Sequence, residues 1–83
     1  MIGIVYILIL SNGQYYVGST NNLERRLTEH NSGKTPSIKY KLPARLIFHQ
    51  EFATLIEARQ AEYKIKRQKS RKLIEEILQR GCI

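Results

Sequence analysis

The chain has 83 residues, a formal net charge of +7 and an apolar fraction of 42%. This length allows a single domain spanning residues 1–83 and leaves no room for a second core. The apolar fraction excludes a disordered tail, because a chain of this composition can bury enough apolar surface to pack as a globule. The excess of Lys and Arg favours a polyanionic partner, and at this size nucleic acid is the first candidate.

Cysteine usage and the apolar start of the chain exclude two further classes of protein. Cys82 is the only cysteine, so neither a disulfide framework nor a cysteine-based zinc site can form within one chain. The opening stretch MIGIVYILIL is apolar, but it lacks a basic n-region and is too short to cross a bilayer. We therefore expect a cytoplasmic protein with no membrane or disulfide partner. The oligomeric state stays open from the sequence, with a monomer favoured, because no apolar stripe exceeds what the core needs.

The first predicted elements are two strands that form a hairpin. Residues 4–10 are an unbroken apolar run rich in β-branched side chains, which favours a strand covered on both faces. Ser11-Asn12-Gly13 is a tight-turn signal, and residues 14–20 have the composition of the returning strand.

Both strands carry a tyrosine, and the length of the turn decides whether the two tyrosines share a face. A two-residue loop would place Tyr6 and Tyr16 on opposite faces. A three-residue loop with Gly13 in the left-handed region would pair Tyr6 with Gly18 and put both tyrosines on one face. The strand pattern is compatible with both registers, and any single strand tyrosine is ordinarily just a half-buried aromatic residue.

The rest of the chain predicts a third strand and three helices. Asn21 or Asn22 is suited to cap the first helix, a capping box from Thr54 to Glu57 opens the second, and Ser70 caps the last. The expected bounds are a helix over 23–31, a basic loop over 32–43, a strand over 44–52, a helix over 54–68 and a helix over 70–81.

The element order β-β-α-β-α-α predicts a layered fold of the α/β or α+β class. We expect a small three-stranded sheet, mixed or antiparallel, flanked by about three helices. No internal repeat, low-complexity segment or domain linker is visible.

The first helix is predicted to present an arginine and a histidine to the sheet. Leu23 and Leu27 define its buried stripe, His30 continues that stripe, and Arg26 lies one turn before His30 at its edge. An arginine there could hold a phosphate through two hydrogen bonds or stabilise charge developing on it. The ordinary alternatives are a snorkelling arginine and a histidine favoured by the helix dipole.

The second helix contributes a candidate metal ligand. Glu62 lies on the flank of the face packed through Ala58 and Ile65, where one carboxylate could hold Mg²⁺ while the ion keeps several waters. The ordinary alternative is a helical ion pair with Lys66, four residues later. All seven acidic residues are glutamates and no aspartate is present, so a single Mg²⁺ or Mn²⁺ ion is expected rather than a two-metal centre.

Basic residues concentrate in the predicted loop and in a tract that begins near the end of the second helix. Six of the nine residues from 64 to 72 are Lys or Arg. A solvated helix surface is the ordinary explanation, and contact with nucleic-acid phosphates is the functional one. The predicted nucleic-acid-binding residues are Lys34, Lys39, Lys41, Lys64, Lys66, Arg67, Lys69, Arg71 and Lys72.

Taken together, these features resemble the GIY-YIG nuclease superfamily, also called the URI domain, and in particular its short single-domain bacterial members. The most specific stretch is YVGSTNNLERRLTEHNSG, and the similarity continues to EARQAEYKIKRQ, so it covers most of the chain. The first motif has Val-Tyr-Ile where Gly-Ile-Tyr is usual, and no asparagine follows Asn31 to match the late asparagine of some repair members. No appended DNA-binding domain is visible, so strong sequence specificity is not expected.

The resemblance implies a Mg²⁺-dependent endonuclease acting on nucleic acid, with DNA favoured over RNA, in repair or recombination. It implies that Tyr6, Tyr16, Arg26 and His30 are catalytic, that Glu62 binds the metal, and that the hairpin has the three-residue turn. Two other functions remain open from the sequence: a non-catalytic basic module that binds DNA or RNA, and a structural partner that docks through its last helix.

Overall fold

A computed structural model describes residues 2–36 and 38–83 of the chain. Met1 and Ser37, the second within the predicted basic loop, lie outside the described residues. The observed elements are β1 (Gly3–Ile9), β2 (Tyr15–Thr20), α1 (Leu23–Asn31), β3 (Arg45–Phe52), α2 (Leu55–Gln68) and α3 (Arg71–Arg80). The predicted order β-β-α-β-α-α is confirmed, and each bound lies within two residues of the expected one.

The sheet has three antiparallel strands in the order β2-β1-β3. The all-apolar strand β1 is central and almost completely buried, which explains its lack of alternation. Because both strand pairs of the described sheet are antiparallel, the fold is α+β, and this sheet is not the mixed alternative. Strand β2 is at one edge of the sheet, a position that becomes important for the site.

The hairpin has the three-residue turn. Gly13 has φ of 84°, and the Leu10 amide donates a 2.9 Å hydrogen bond to the Gln14 carbonyl. Tyr6 therefore pairs with Gly18, and Leu8 pairs with Tyr16. Since side chains alternate along a strand, Tyr6 and Tyr16 lie on the same face of the sheet.

Each face of the sheet packs a different set of side chains. On one face, Val5 and Ile7 pack against Ala58 and Ile65 of α2 and against Ile77 of α3. The other face carries the second cluster, which joins strand residues to α1 and to the 32–43 loop: Tyr6, Leu8, Leu10, Ile38 and Ala44, with Tyr16, Leu23, Leu27 and Leu42 against them.

All three helices begin at the predicted kind of cap. Of the two asparagines, Asn22 accepts a hydrogen bond from the Arg25 amide, and Thr54 and Ser70 cap α2 and α3 in the same way. Local side-chain chemistry therefore determines where each helix starts. In the described part of the chain, none of these helices has the length and apolarity to span a membrane.

Candidate active site

The centre of the candidate site is a hydrogen-bonded chain of three side chains on the α1 face of the sheet. The Tyr6 hydroxyl lies 2.8 Å from Nε2 of His30, and Nδ1 of His30 lies 2.7 Å from the Thr35 hydroxyl. Tyr6 and His30 are 1% and 0% exposed, and Thr35 is also buried. Both ring nitrogens of His30 are thus occupied within the protein, and the edge of the ring also meets Tyr16, with 5.1 Å between ring centroids.

The Arg26 guanidinium lies beside the Tyr6 hydroxyl and couples it to the surface. Burial raises the pKa of Tyr6 to about 12, an increase that Arg26 opposes and that Tyr16 and Glu62 reinforce. In return, the Tyr6 hydroxyl raises the pKa of Arg26. Tyr6 is therefore a neutral phenol at neutral pH. Both Arg26 and Glu62 are close enough for their charges to affect its pKa.

Burial lowers the pKa of His30, and the neighbouring Arg26 lowers it further. The folded protein therefore holds a neutral imidazole that the unfolded chain would protonate near pH 6.5. Because the unfolded state then binds more protons, this contribution to stability is present above about pH 6.5 and is lost as the pH falls below it.

We accordingly expect the free energy of unfolding to decrease between pH 8 and pH 5.5, with a limiting slope of about 1.4 kcal/mol per pH unit from this one group. Urea denaturation of wild type, His30→Gln and His49→Gln across that range measures the slope. His49→Gln is the matched control, because it removes an imidazole from an exposed position. A His30→Gln protein with the wild-type slope would contradict the assignment.

Glu62 approaches from α2 and is held by two partners. The Ser19 hydroxyl donates a hydrogen bond to one carboxylate oxygen. The Lys66 ammonium lies 2.7 Å from the other, Oε2. The side chain of Glu62 is 19% exposed and that of Lys66 is 49% exposed, so the carboxylate is the more fixed of the pair.

The site extends around the edge strand β2. Ser19 points to the α2 face of the sheet, whereas Tyr16 points to the α1 face, because their positions alternate along β2. Lys66 joins the two sides, since its ammonium lies 5.6 Å from the centroid of the Tyr16 ring. Two clefts open beside this edge.

The first cleft is polar and contains three arginines. It is lined by Ser19, Thr20, Asn21, Arg25, Arg26, Glu29, Leu55 and Arg59. Its volume of about 360 Å³ corresponds to roughly a dozen water molecules, at about 30 Å³ each, which is enough for a hydrated phosphodiester group. Three guanidiniums around such a space make it suited to an anion.

The second cleft is more aromatic and is lined partly by Tyr15, Tyr16, Lys66, Lys69 and Arg71. The Arg71 guanidinium lies 4.5 Å from the centroid of the Tyr15 ring and donates a hydrogen bond to the Gly13 carbonyl. Each of the two tyrosines of this cleft therefore has a cationic group near its ring.

The predicted nucleic-acid-binding residues occupy separate surfaces. Lys66, Lys69 and Arg71 line the aromatic cleft beside the site. Lys64 and Arg67 instead line a groove on the outer side of α2 with Tyr63, so the basic segment 64–72 is not one continuous surface. The remaining predicted residues are Lys34 beside α1, Lys39 over the Tyr40 ring, Lys41 hydrogen-bonded to Gln14 and the exposed Lys72 of α3.

The donor set fits a hard, weakly held cation. Among the described residues, no group of three or more His, Cys, Asp and Glu side chains could enclose a metal ion. One carboxylate with a neighbouring hydroxyl suits Mg²⁺, which keeps several waters and takes further oxygen ligands from phosphate. It would not suit zinc, which prefers four protein ligands such as His and Cys in structural sites.

Several residues that border the candidate site were not predicted from the sequence. Arg25 is next to Arg26, and this Arg-Arg pair at the start of α1 was a signal that could have been used. Arg59 precedes Glu62 by three residues on α2, which is helical spacing. Ser19 and Thr35 had no sequence signal, because only the folded chain brings them to Glu62 and His30.

Comparison with known proteins gives consistent results. Residues 2–75 match the family model of the GIY-YIG catalytic domain. A UPF0213 protein of Streptococcus pneumoniae serotype 4 is 46% identical over 68 residues, which are 78% of this chain and 67% of that protein. A UPF0213 protein of Bacillus licheniformis is 42% identical over 82 residues, which are 92% and 82% of the two chains.

A solved structure shows the same fold. The solution NMR structure of a UPF0213 protein from Bacillus halodurans matches with a TM-score of 0.62 and 35% identity. The match covers 95% of this chain and 84% of that one.

Proposed function

This chain belongs to the family of GIY-YIG catalytic domains, and from that premise we propose that it is a metal-dependent endonuclease that hydrolyses phosphodiester bonds in DNA. The family is one of nucleases, so nucleic acid is the expected substrate class. The observation that carries the proposal is the meeting of Tyr6, Tyr16, Arg26 and Glu62 around the edge of β2. DNA repair or recombination is the cellular setting we propose.

In this proposal the scissile phosphate binds in the polar cleft against Arg26. The guanidinium neutralises the non-bridging oxygens. Its interaction with them strengthens as negative charge accumulates in the transition state. Water attacks the phosphorus in line while the bond to the leaving 3′ oxygen breaks, and the water's proton passes to a phenolate oxygen of the tyrosine pair. For Tyr6 this requires prior loss of its own proton, which Arg26 favours, because it opposes the rise in the pKa of Tyr6 that burial causes.

Glu62 is the proposed ligand of the divalent ion, with the Ser19 hydroxyl keeping the carboxylate in place. Mg²⁺ bound there would supply positive charge to stabilise the leaving 3′ oxygen. The family generally uses divalent ions, and the single carboxylate fits an ion that takes most of its ligands from water and substrate.

The surroundings of His30 favour a role other than the catalytic one that the family resemblance implies. The side chain is fully buried, and its two ring nitrogens are hydrogen-bonded to Tyr6 and Thr35. We therefore propose that His30 is a positioning residue that holds the Tyr6 hydroxyl beside Arg26.

The test is incubation of the purified protein with labelled nucleic acids in Mg²⁺, Mn²⁺ or EDTA. The panel contains duplex, nicked, branched and single-stranded DNA, together with RNA of the same sequences. We expect cleavage of at least one DNA that stops in EDTA and that Glu62→Gln also removes. Binding without cleavage of any substrate would contradict the proposed endonuclease activity and favour a non-catalytic binding module.

Binding should depend strongly on salt, because phosphate contacts dominate. If Lys66, Lys69 and Arg71 each neutralise one phosphate, the affinity should fall on the order of 40-fold between about 50 and 200 mM salt. Fluorescence anisotropy with a labelled DNA measures this slope. Replacing Lys69 and Arg71 by Gln should make the slope shallower by about two contacts.

The matched control replaces Lys64 and Arg67, which carry the same charge on the outer side of α2. This double variant should keep a slope close to that of wild type. If both double variants reduced the salt dependence of binding equally, the aromatic cleft would not be the phosphate-binding surface.

A further inference from the structure

Lys66 occupies the side of Glu62 that a metal ion would need. Its ammonium lies 2.7 Å from Oε2, while the other carboxylate oxygen is held by Ser19. Glu62 has its backbone on α2 and is mostly buried, whereas half of the Lys66 side chain is exposed on a long, flexible stem. Of the two partners of Glu62, Lys66 is therefore the one that can leave.

We propose that Lys66 is an internal counter-ion of Glu62, which a divalent cation displaces and which then binds the substrate phosphate. This inference rests on the proposed metal-dependent function. In the free protein the ammonium neutralises a carboxylate that would otherwise be partly desolvated and unpaired. The pairing keeps Glu62 in the position needed for the metal, at the cost of competing with the metal.

The competition follows from charge. An ammonium and a divalent ion are attracted to the same carboxylate oxygen but repel each other at contact distance. Metal binding must therefore break the ion pair, or the repulsion weakens the binding of the metal. An i,i+4 helical pair in which the lysine is half exposed is a weak interaction, so a loosely held Mg²⁺ ion can displace the ammonium.

The displaced ammonium can move into the aromatic cleft. It already lies 5.6 Å from the centroid of the Tyr16 ring, and it lines the aromatic cleft with Lys69 and Arg71. Released from Glu62, it adds a third cation to that cleft. Metal binding would thus increase the protein's affinity for a phosphate backbone, in addition to placing the ion on the Glu62 carboxylate.

Manganese binding without nucleic acid tests the first half of the proposal. The electron paramagnetic resonance signal of free Mn²⁺ is titrated against wild type, Lys66→Gln and Lys64→Gln. We expect Lys66→Gln to bind Mn²⁺ about fivefold more tightly, as removal of a neighbouring like charge requires. Lys64→Gln loses the same charge on the outer side of α2 and should stay within about twofold of wild type. Unchanged or weaker binding by Lys66→Gln overturns the proposal.

DNA binding tests the second half. Affinity for a labelled duplex is measured in EDTA and in saturating Mn²⁺, in an Arg26→Ala background that should not cleave. Adding Lys66→Gln should reduce affinity more in Mn²⁺ than in EDTA, where Glu62 already engages the ammonium. An equal reduction in the two conditions overturns the proposed transfer of Lys66 to the phosphate.

Glu62→Gln separates this inference from the proposed function. If Glu62→Gln binds Mn²⁺ as wild type does, Glu62 is not the ligand, and the metal site and the role of Lys66 both fail. If Glu62→Gln loses Mn²⁺ but Lys66→Gln gains nothing, the metal site stands and only the counter-ion is wrong. Thermal unfolding curves establish that each variant is folded.

Discussion

Arg26→Ala and Glu62→Gln are each expected to reduce Mg²⁺-dependent cleavage by about 10²- to 10³-fold, or roughly 3–4 kcal/mol of transition-state stabilisation. The loss is large because Arg26, and the metal ion that Glu62 would hold, stabilise negative charge that develops only during the reaction. Arg26 faces the proposed phosphate and adjoins the Tyr6 hydroxyl, and Glu62 is the proposed ligand of the metal ion.

Neither substitution should unfold the protein. The ion pair of Arg26 with Glu29 has a separation of 3.5 Å on a partly exposed surface, so its loss costs at most about 1 kcal/mol. Glutamine in place of Glu62 still offers an oxygen to the Ser19 hydroxyl. Single-turnover rates on the DNA that wild type cleaves, with circular dichroism of each protein, measure the two effects separately.

Two exposed residues serve as matched controls. Glu57→Gln removes the same charge from the first turn of α2, and Arg80→Ala removes an arginine from the end of α3. Both should cleave within a few fold of wild type. A folded Arg26→Ala or Glu62→Gln protein that cleaved at the wild-type rate would rule out the proposed site.

Gly18→Ala is expected to damage both stability and cleavage, because Tyr6 fills the space above this glycine. A Cβ at position 18 would lie 2.5 Å from Cζ of Tyr6 and closer still to its hydroxyl. Tyr6 cannot rotate away freely, since its ring is buried and its hydroxyl is bonded to His30. We expect about 1–3 kcal/mol of destabilisation, the usual range for overpacking.

Its effect on cleavage should exceed what unfolding explains. Moving the Tyr6 hydroxyl breaks its alignment with Arg26, so we expect at least about a tenfold loss per folded molecule, since small misplacements of reacting groups are costly. Urea denaturation measures the stability, and cleavage is compared below the unfolding midpoint of each protein.

Gly3→Ala is the control for overpacking alone. A Cβ at position 3 would meet Cα of Leu55 at 2.6 Å and Cβ of Ala58 at 2.7 Å, on the opposite face of the sheet. The clash is at the first turn of α2, about two turns before Glu62, so it should lower stability yet leave cleavage per folded molecule within a few fold of wild type. If the two variants lost cleavage in equal measure, the contact between Gly18 and Tyr6 would not explain the result.

The sequence by itself determined the local structure, and it named candidate residues for the site. Asparagine, threonine and serine caps depend on neighbours within three residues, so they predicted where the helices begin. The apolar run of β1 and the helical spacing of Leu23, Leu27 and His30 predicted which surfaces are buried. The family resemblance, rather than the strand pattern, favoured the three-residue hairpin turn that the structure has.

Only the tertiary structure decided how these parts meet. It placed β2 at the edge of the sheet, so that Tyr16 on one face and Ser19 with Glu62 on the other border one site. It also buried His30 between Tyr6 and Thr35. These contacts join residues up to 43 positions apart, as from Ser19 to Glu62. Spacing along the chain cannot predict them, because they depend on how helices from two faces pack around a shared strand.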